Sequence, residues 1–422
     1  MGCHSCRKSP GNFSSHRSGN LNPLEHTLTQ EIAMIFAYRS TVILLAIVAT
    51  VSRGQADEGG SLKDAAAALA KKVREVAGGL KPPQVAVRIG RFTPHGVADD
   101  LGVNGGGFES ELATALGGLA NRDALLEVSG EVRFLSDPAR PDLKEIRIKA
   151  KLQYTNGDEV GEFKEFVGTV RKVTDIARFT GASVSFKPDS EYKDSPPSSG
   201  RNKDLQKTLP PGPGRPPEVQ AAIEGTFVRT RKESPYAVEI RKKSLDAPGG
   251  ALPVTASLVE GLPFVGIERG EVYEVRVVND SNQEIAVSLA IDGIDQFTFS
   301  EDRKPDGTPK FSHWIVGPAK DKKPGEVLIV GWHKTADPSR KDNVLSFLVT
   351  EYGKGTSVKF PTRAQGKIGT ITVGISRSYV PGPNAPRSAS ETGFGPPREV
   401  KQEVVKRQID DPHEFITVRY TR

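Results

Sequence analysis

The sequence predicts an α+β fold: a small α/β domain with a largely antiparallel sheet, followed by an all-β sandwich. Three observations predict it. Apolar residues recur at helical spacing only in the first stretch after residue 60. From residue 126 onward apolar and polar residues mostly alternate with period two, as in strands buried on one face. A Pro- and Gly-rich stretch, residues 187–217, separates a mixed first half from a second half of short strands.

The chain opens with a leader. Thr41 to Val51 is an eleven-residue apolar run that follows Arg39 and precedes Ser52-Arg53-Gly54-Gln55-Ala56-Asp57. A bilayer span needs about 20 apolar residues, so the run reads as the centre of a secretory signal, with Gly54 and Ala56 at the small positions before cleavage at Asp57. Met34 is an alternative start to Met1, and residues 1–56 read as leader and signal peptide, the signal itself lying within 34–56. Cys3 and Cys6 fall inside the leader, which leaves the exported chain free of cysteine. That excludes a thiol nucleophile, a thiolate metal site, a disulfide scaffold and lipid attachment at the cleavage site. The expected location is the periplasm or outside the cell, with no integral membrane span after cleavage.

Residues 61–186 read as the α/β domain. Leu62, Ala66, Leu69, Val73, Val76 and Leu80 share a helix face, and Ser61 with Asp64 forms a capping-box-like start. Val85, Val87 and Ile89 mark a strand, and Gly105-Gly106-Gly107 opens a second helix with Phe108, Leu112, Ala115 and Leu116 on one side. Leu126 to Phe134 and Ile146 to Tyr154 alternate cleanly, and Asn156-Gly157 supplies a tight turn into a returning strand over 160–170. In 187–217, Pro and Gly predict a linker that neither helix nor strand crosses. Residues 218–422 predict the sandwich, with strands at 236–240, 273–277, 285–291, 297–299, 313–316, 327–332, 345–349, 368–375 and 415–420, and a long loop at 381–398.

The charge balance bounds the partners. Lys plus Arg number 58 against 52 Asp plus Glu, and beyond Ala56 the balance is 53 against 50. A surplus this small, with both signs mixed along the chain, leaves no footprint for nucleic acid.

The chemistry-bearing motifs are all incomplete. His95, His313, His333 and His413 lack metal-ligand spacing, and the acidic loops around Asp292, Asp295, Asp302 and Asp306 lack a calcium pattern, so neither a metal nor another cofactor is expected. The glycine run before Phe108 lacks the Lys-Ser/Thr of a phosphate loop, and Glu109 and Glu111 occupy the first helical turn, where they would repel an anion. No nucleophile elbow occurs, so no catalytic residue is assigned. His313-Trp314 and Trp332-His333 stand out as similar dipeptides on strands expected to be neighbours. Trp314 and Trp332 on one surface would form a platform for a sugar ring; the alternative, which the strand context favours, is that both anchor the core. Trp314, Trp332, His313, His333 and Asp292 are the candidate ligand-binding residues, and His333 with a nearby Asp is the candidate pair for a hydrolase.

The order helix, strand 85–89, helix 108–116, strand 126–132 and Asn156-Gly157 hairpin resembles the amino-terminal domain of TolB and of the curli-secretion lipoproteins. That resemblance implies a domain that binds proteins in the cell envelope and has no catalytic residue. From about Tyr236 to the carboxyl end, Val278-Asn279-Asp280-Ser281, Ala290-Ile291-Asp292-Gly293, Phe299-Ser300-Glu301, Gly331-Trp332-His333, Thr392-Gly393-Phe394-Gly395 and Val418-Arg419-Tyr420 resemble an uncharacterised family of secreted planctomycete-type proteins. That resemblance implies export and a sandwich fold. Taken together, the sequence predicts a non-enzymatic exported module whose partners are envelope proteins or, in the alternative, glycans.

Overall fold

The computed structural model describes residues 60–420 other than 82, 85, 96–105, 122, 138–139, 194, 211–215, 306, 338, 341, 351–368 and 381–403. The leader with its signal segment and cysteines, and the loop at 381–398, lie outside the described residues. The fold is α+β, and residues 57–422 form one compact unit.

Helices α1 (Leu62–Gly79) and α2 (Gly106–Leu116) pack on a four-stranded sheet of β1 (Val87–His95), β2 (Leu126–Asp137), β3 (Arg140–Tyr154) and β4 (Phe166–Val170), in that order. α1 starts at a complete capping box: Asp64 N donates to Ser61 Oγ at 3.0 Å, and Ser61 N to the Asp64 carboxylate at 3.2 Å. Its buried stripe includes Leu62, Ala66, Leu69 and Val73. β1 runs parallel to β2, with α2 in the crossover, and the other two pairs are antiparallel. The strand expected to return directly after Asn156-Gly157 forms only at Phe166. Val160 and Phe163 instead tuck into the core, and burying two apolar side chains outweighs the extra ladder bonds.

The next segment corrects the sequence reading. After α3 (Val173–Thr180) and β5 (Val184–Ser185) comes a 3-10 turn at Asp189–Glu191, and then α4 (Pro197–Thr208) runs through the stretch expected to be a bare linker. Pro197 sits at the first helical position, where its missing N–H costs no hydrogen bond. Gly200 is required, because a Cβ there would overlap the Tyr192 ring. Tyr192 donates to Asp204 at 2.7 Å, and Lys144 N donates to Asn202 at 3.0 Å, which ties α4 to β3.

The remainder is strands: β6 (Ala222–Glu224), β7 (Phe227–Arg229), β8 (Tyr236–Ser244), β9 (Leu252–Pro253), β10 (Ser257–Val259), β11 (Leu262–Val265), β12 (Glu271–Asn279), β13 (Ile285–Ile291) and β14 (Ile294–Asp295). These are followed by β15 (Trp314–Val316), β16 (Gly325–Ile329), β17 (Gly331–His333), β18 (Val344–Leu348), β19 (Gly369–Tyr379), β20 (Gln408–Ile409) and β21 (Glu414–Tyr420). One sheet runs β10-β11-β21-β19-β13-β14, and the other runs β17-β18-β12-β8-β7-β6. Val238, Ile240, Val275 and Val277 of the second meet Val287, Leu289, Val373 and Ile416 of the first in a shared core. The strand expected at 297–299 is a turn. There the Asp295 carboxylate accepts from Phe297 N at 2.9 Å and Asp295 O from Thr298 N at 3.0 Å, which curls the backbone. The stretch 327–332 divides at Val330 into β16, paired with β12, and β17, paired with β18.

β5 adds to β21 of the sandwich, pairing Ser185 with Glu414 and Val184 with Phe415. Phe415 itself belongs to the core beneath the four-stranded sheet. Among the described residues no helix is long and apolar enough to cross a membrane.

Candidate functional site

The aromatic and histidine residues singled out from the sequence lie inside the sandwich. β15 and β17 belong to opposite sheets rather than being neighbours, so Trp314 and Trp332 approach the core from its two sides. Trp314 donates Nε1–H to Gln296 at 2.9 Å, and Trp332 meets the rings of Phe299 and Phe347 edge-on at 5.1 and 5.3 Å. With 6% and 5% of their surface exposed, both indoles anchor the core, the reading that the strand context favours, and neither offers a face to a sugar. His333 is fully buried, its ring 5.0 Å from that of Phe297 and 5.1 Å from that of Phe311. Burial pushes its pKa down to about 3, so it is neutral and shielded from substrate, contrary to the hydrolase pairing. Asp292 is also structural. It adopts φ 52° ahead of Gly293 in the turn between β13 and β14, accepting from Thr370 N and Tyr420 Oη at 2.8 Å each.

His313 has different surroundings. Its Nδ1 lies 2.9 Å from Ser312 Oγ, and burial together with the neighbouring Arg178 guanidinium pushes its pKa down to about 4. Arg178, on α3, is the hub of a polar cluster where α2 meets β14. It lies 3.5 Å from Glu111 of α2 and 3.7 Å from Asp295 of β14. Ser110 and Thr298 face each other across the same seam at 3.4 Å. About a quarter of each charged side chain stays accessible (27% for Arg178 and Asp295, 24% for Glu111). Burial nevertheless pushes Asp295 up to about 6, against the opposing pull of Arg178. The Asp295 carboxyl can bind and release a proton near neutrality, with the Arg178 cation beside it and the neutral His313 imidazole close by.

Glu109 and Glu111 also part ways with expectation. The buried Glu109 accepts from Phe92 N at 2.8 Å and pins α2 to the irregularity in β1, and Glu111 turns to Arg178.

A second candidate surface is the face of the four-stranded sheet opposite the helices. Alternation puts Glu127, Glu131 and Arg133 of β2 and Lys149 and Lys151 of β3 there, around a depression of about 660 Å³ that Arg91, His95 and Glu165 help to line. Ion pairs lace it: Arg88 with Glu127 at 2.5 Å, Arg133 with Glu131 at 3.0 Å, and Lys149 with Glu165 at 3.4 Å. Exposed Lys151 and Arg133 stand at its rim. Among the described residues no group of three or more His, Cys, Asp or Glu is placed to hold a metal.

No protein-family model, curated protein or solved structure matches the chain. The sites therefore stand on geometry alone. Of the candidate binding residues chosen from the sequence, only His313 neighbours the Arg178 cluster. Arg178 gave no signal in a one-dimensional reading, because its partners lie 67 and 117 positions away on other elements. Asp295 and Glu111 were visible only as ordinary acidic residues of a turn and a helix start.

Proposed function

We propose that the protein is an exported, non-enzymatic module of the cell envelope that binds protein partners on the open face of β1–β4. The observation that carries this reading is the depression on that face, lined by charges of both signs and covered by no helix among the described residues. Mixed, ion-paired charge sets the orientation and selectivity of a protein partner without attracting polyanions. The resemblance of residues 61–186 to envelope domains that bind proteins supports the same reading, and the apolar run Thr41 to Val51 supports export.

In-cell cross-linking followed by mass spectrometry tests it. The parent protein is expected to recover a defined set of envelope proteins, with residues 1–56 removed. Arg133→Glu combined with Lys151→Glu, both exposed and away from the core, is expected to leave stability within about 0.5 kcal/mol and to lower capture about tenfold, through slower association. Retention in the cytoplasm with the leader attached, or capture unchanged by the double substitution, contradicts the reading.

One observation favours a second reading, a hydrolase. Asp295, pushed up to about 6 beside Arg178, has the acidity of a general acid-base group. Turnover of a defined ester, amide or glycoside by the purified protein, abolished in Asp295→Asn, would establish it over the first.

A further inference from the structure

The cations of the open sheet face sit together. Arg147, Lys149 and Lys151 follow one another on that side of β3, and Arg133 of β2 stands directly opposite Arg147. Like charges in opposite positions repel each other, so this corner of the sheet gains from added negative charge. The carboxylates nearby are already committed. Glu145 is fully buried between Arg147 at 2.6 Å and Arg171 at 2.9 Å, Glu131 lies 3.0 Å from Arg133, and Glu165 lies 3.4 Å from Lys149. Lys151 is exposed and pairs with no carboxylate among the described residues. The pair of Lys149 with Glu165 is itself exposed, at 39% and 58%, and such pairs are weak. Lys149 can therefore exchange Glu165 for another carboxylate.

The shape of the face is a second observation. The cross-strand row through Lys151 holds the short Ser129 on β2, and the register of β1 slips between Ile89 and Phe92, so the row has no register partner there. The depression of about 660 Å³ takes in this short row, with Ser129 and Lys151 among its lining residues. A volume of that order accommodates several linked groups. Alternate side chains of an extended peptide are about 7 Å apart, which is also the spacing of Lys149 and Lys151 along β3.

We propose that the occupant of the open face is an extended, acidic segment of a partner protein, laid along β3 with carboxylates at alternate positions over Lys149 and Lys151 and its flank in the depression beside Ser129. The proposal rests on the reading of that face as a docking surface and names the chemistry of its partner. A surplus confined to one corner suits one short acidic stretch rather than a long polyanion.

Fluorescence anisotropy with the full chain tests it, using labelled Thr-Glu-Thr-Glu-Thr, Thr-Gln-Thr-Gln-Thr and Thr-Lys-Thr-Lys-Thr peptides as probes. The glutamate peptide is expected to bind with a Kd below about 1 mM and about tenfold more tightly than the other two, with affinity falling as salt is raised from about 50 to about 300 mM. Lys151→Glu is expected to weaken binding about tenfold, and Lys151→Arg to keep it. Lys323→Glu, the same change of charge in the exposed turn before β16, is expected to leave it within about twofold. Equal affinity for the glutamate and glutamine peptides, or equal losses in Lys151→Glu and Lys323→Glu, overturns the proposal. If the glutamate peptide fails while in-cell capture still depends on Arg133 and Lys151, the acidic segment falls and the docking surface stands; if capture ignores both residues, both readings fall.

Discussion

Asp295 shows how a single residue acquires chemistry from its neighbours. It is one acidic residue in an acidic turn, and only the approach of α2 and α3 strips its hydration and raises its pKa to about 6. An acid with a raised folded-state pKa keeps its proton up to about 6, whereas the unfolded chain releases it near the ordinary 3.8. Stability from this group is therefore lost as pH rises from about 4 to about 6. Asp295→Asn cannot ionise. It is expected to match the parent near pH 4 and to exceed it by about 2 kcal/mol at pH 7, read from urea unfolding at the two pH values. A variant less stable than the parent at pH 7 would mean that the pairing with Arg178 outweighs desolvation.

At the scale of the element, α4 is the clearest case of context overruling composition. Pro196-Pro197-Ser198-Ser199-Gly200 has the composition of a linker, yet it begins a helix docked on β3 through Asn202 and the buried Leu205. Replacing a helical glycine by alanine ordinarily stabilises by about 1 kcal/mol. Here the sign reverses, since the new methyl would collide with the Tyr192 ring, itself held by Asp204 and the Lys187 amide. Gly200→Ala is expected to cost about 1–3 kcal/mol; a gain in urea midpoint would show that Tyr192 swings away freely. In β2 and β3, by contrast, alternation alone predicted the strands, because one face of that sheet is wet and the other packs on helices.

At the scale of the whole molecule, two cores are joined by chain order. β5 extends the sandwich sheet through β21, and Phe415 of β21 fills the core of the first layer. Three imidazoles are held neutral by burial: His313 and His413 at about 4 and His333 at about 3, each below the ordinary 6.5. A base with a lowered folded-state pKa takes up its proton more readily on unfolding, so its contribution is complete above about 6.5 and is lost as pH falls toward 4. Each removes up to about 3 kcal/mol across that window, and together they exceed the opposite effect of Asp295. The melting temperature is expected to fall steeply between pH 6.5 and 4, and His333→Leu to move that fall to lower pH. A melting temperature flat across this range would contradict the burial of the three rings.

The sequence by itself determined the α+β class, the period of most elements, the capped start of α1 and the tight turn at Asn156-Gly157. These depend on residues within a few positions of each other, where propensity and alternation act directly. It also exposed the incompleteness of every catalytic motif. Only the tertiary structure decided that Trp314, Trp332 and His333 face inward, since a strand's alternation marks two faces without saying which is covered. The Arg178 cluster belongs to the same class. Its parts are brought together by packing between distant elements, and electrostatics and hydrogen bonding at such a place depend on separation in space.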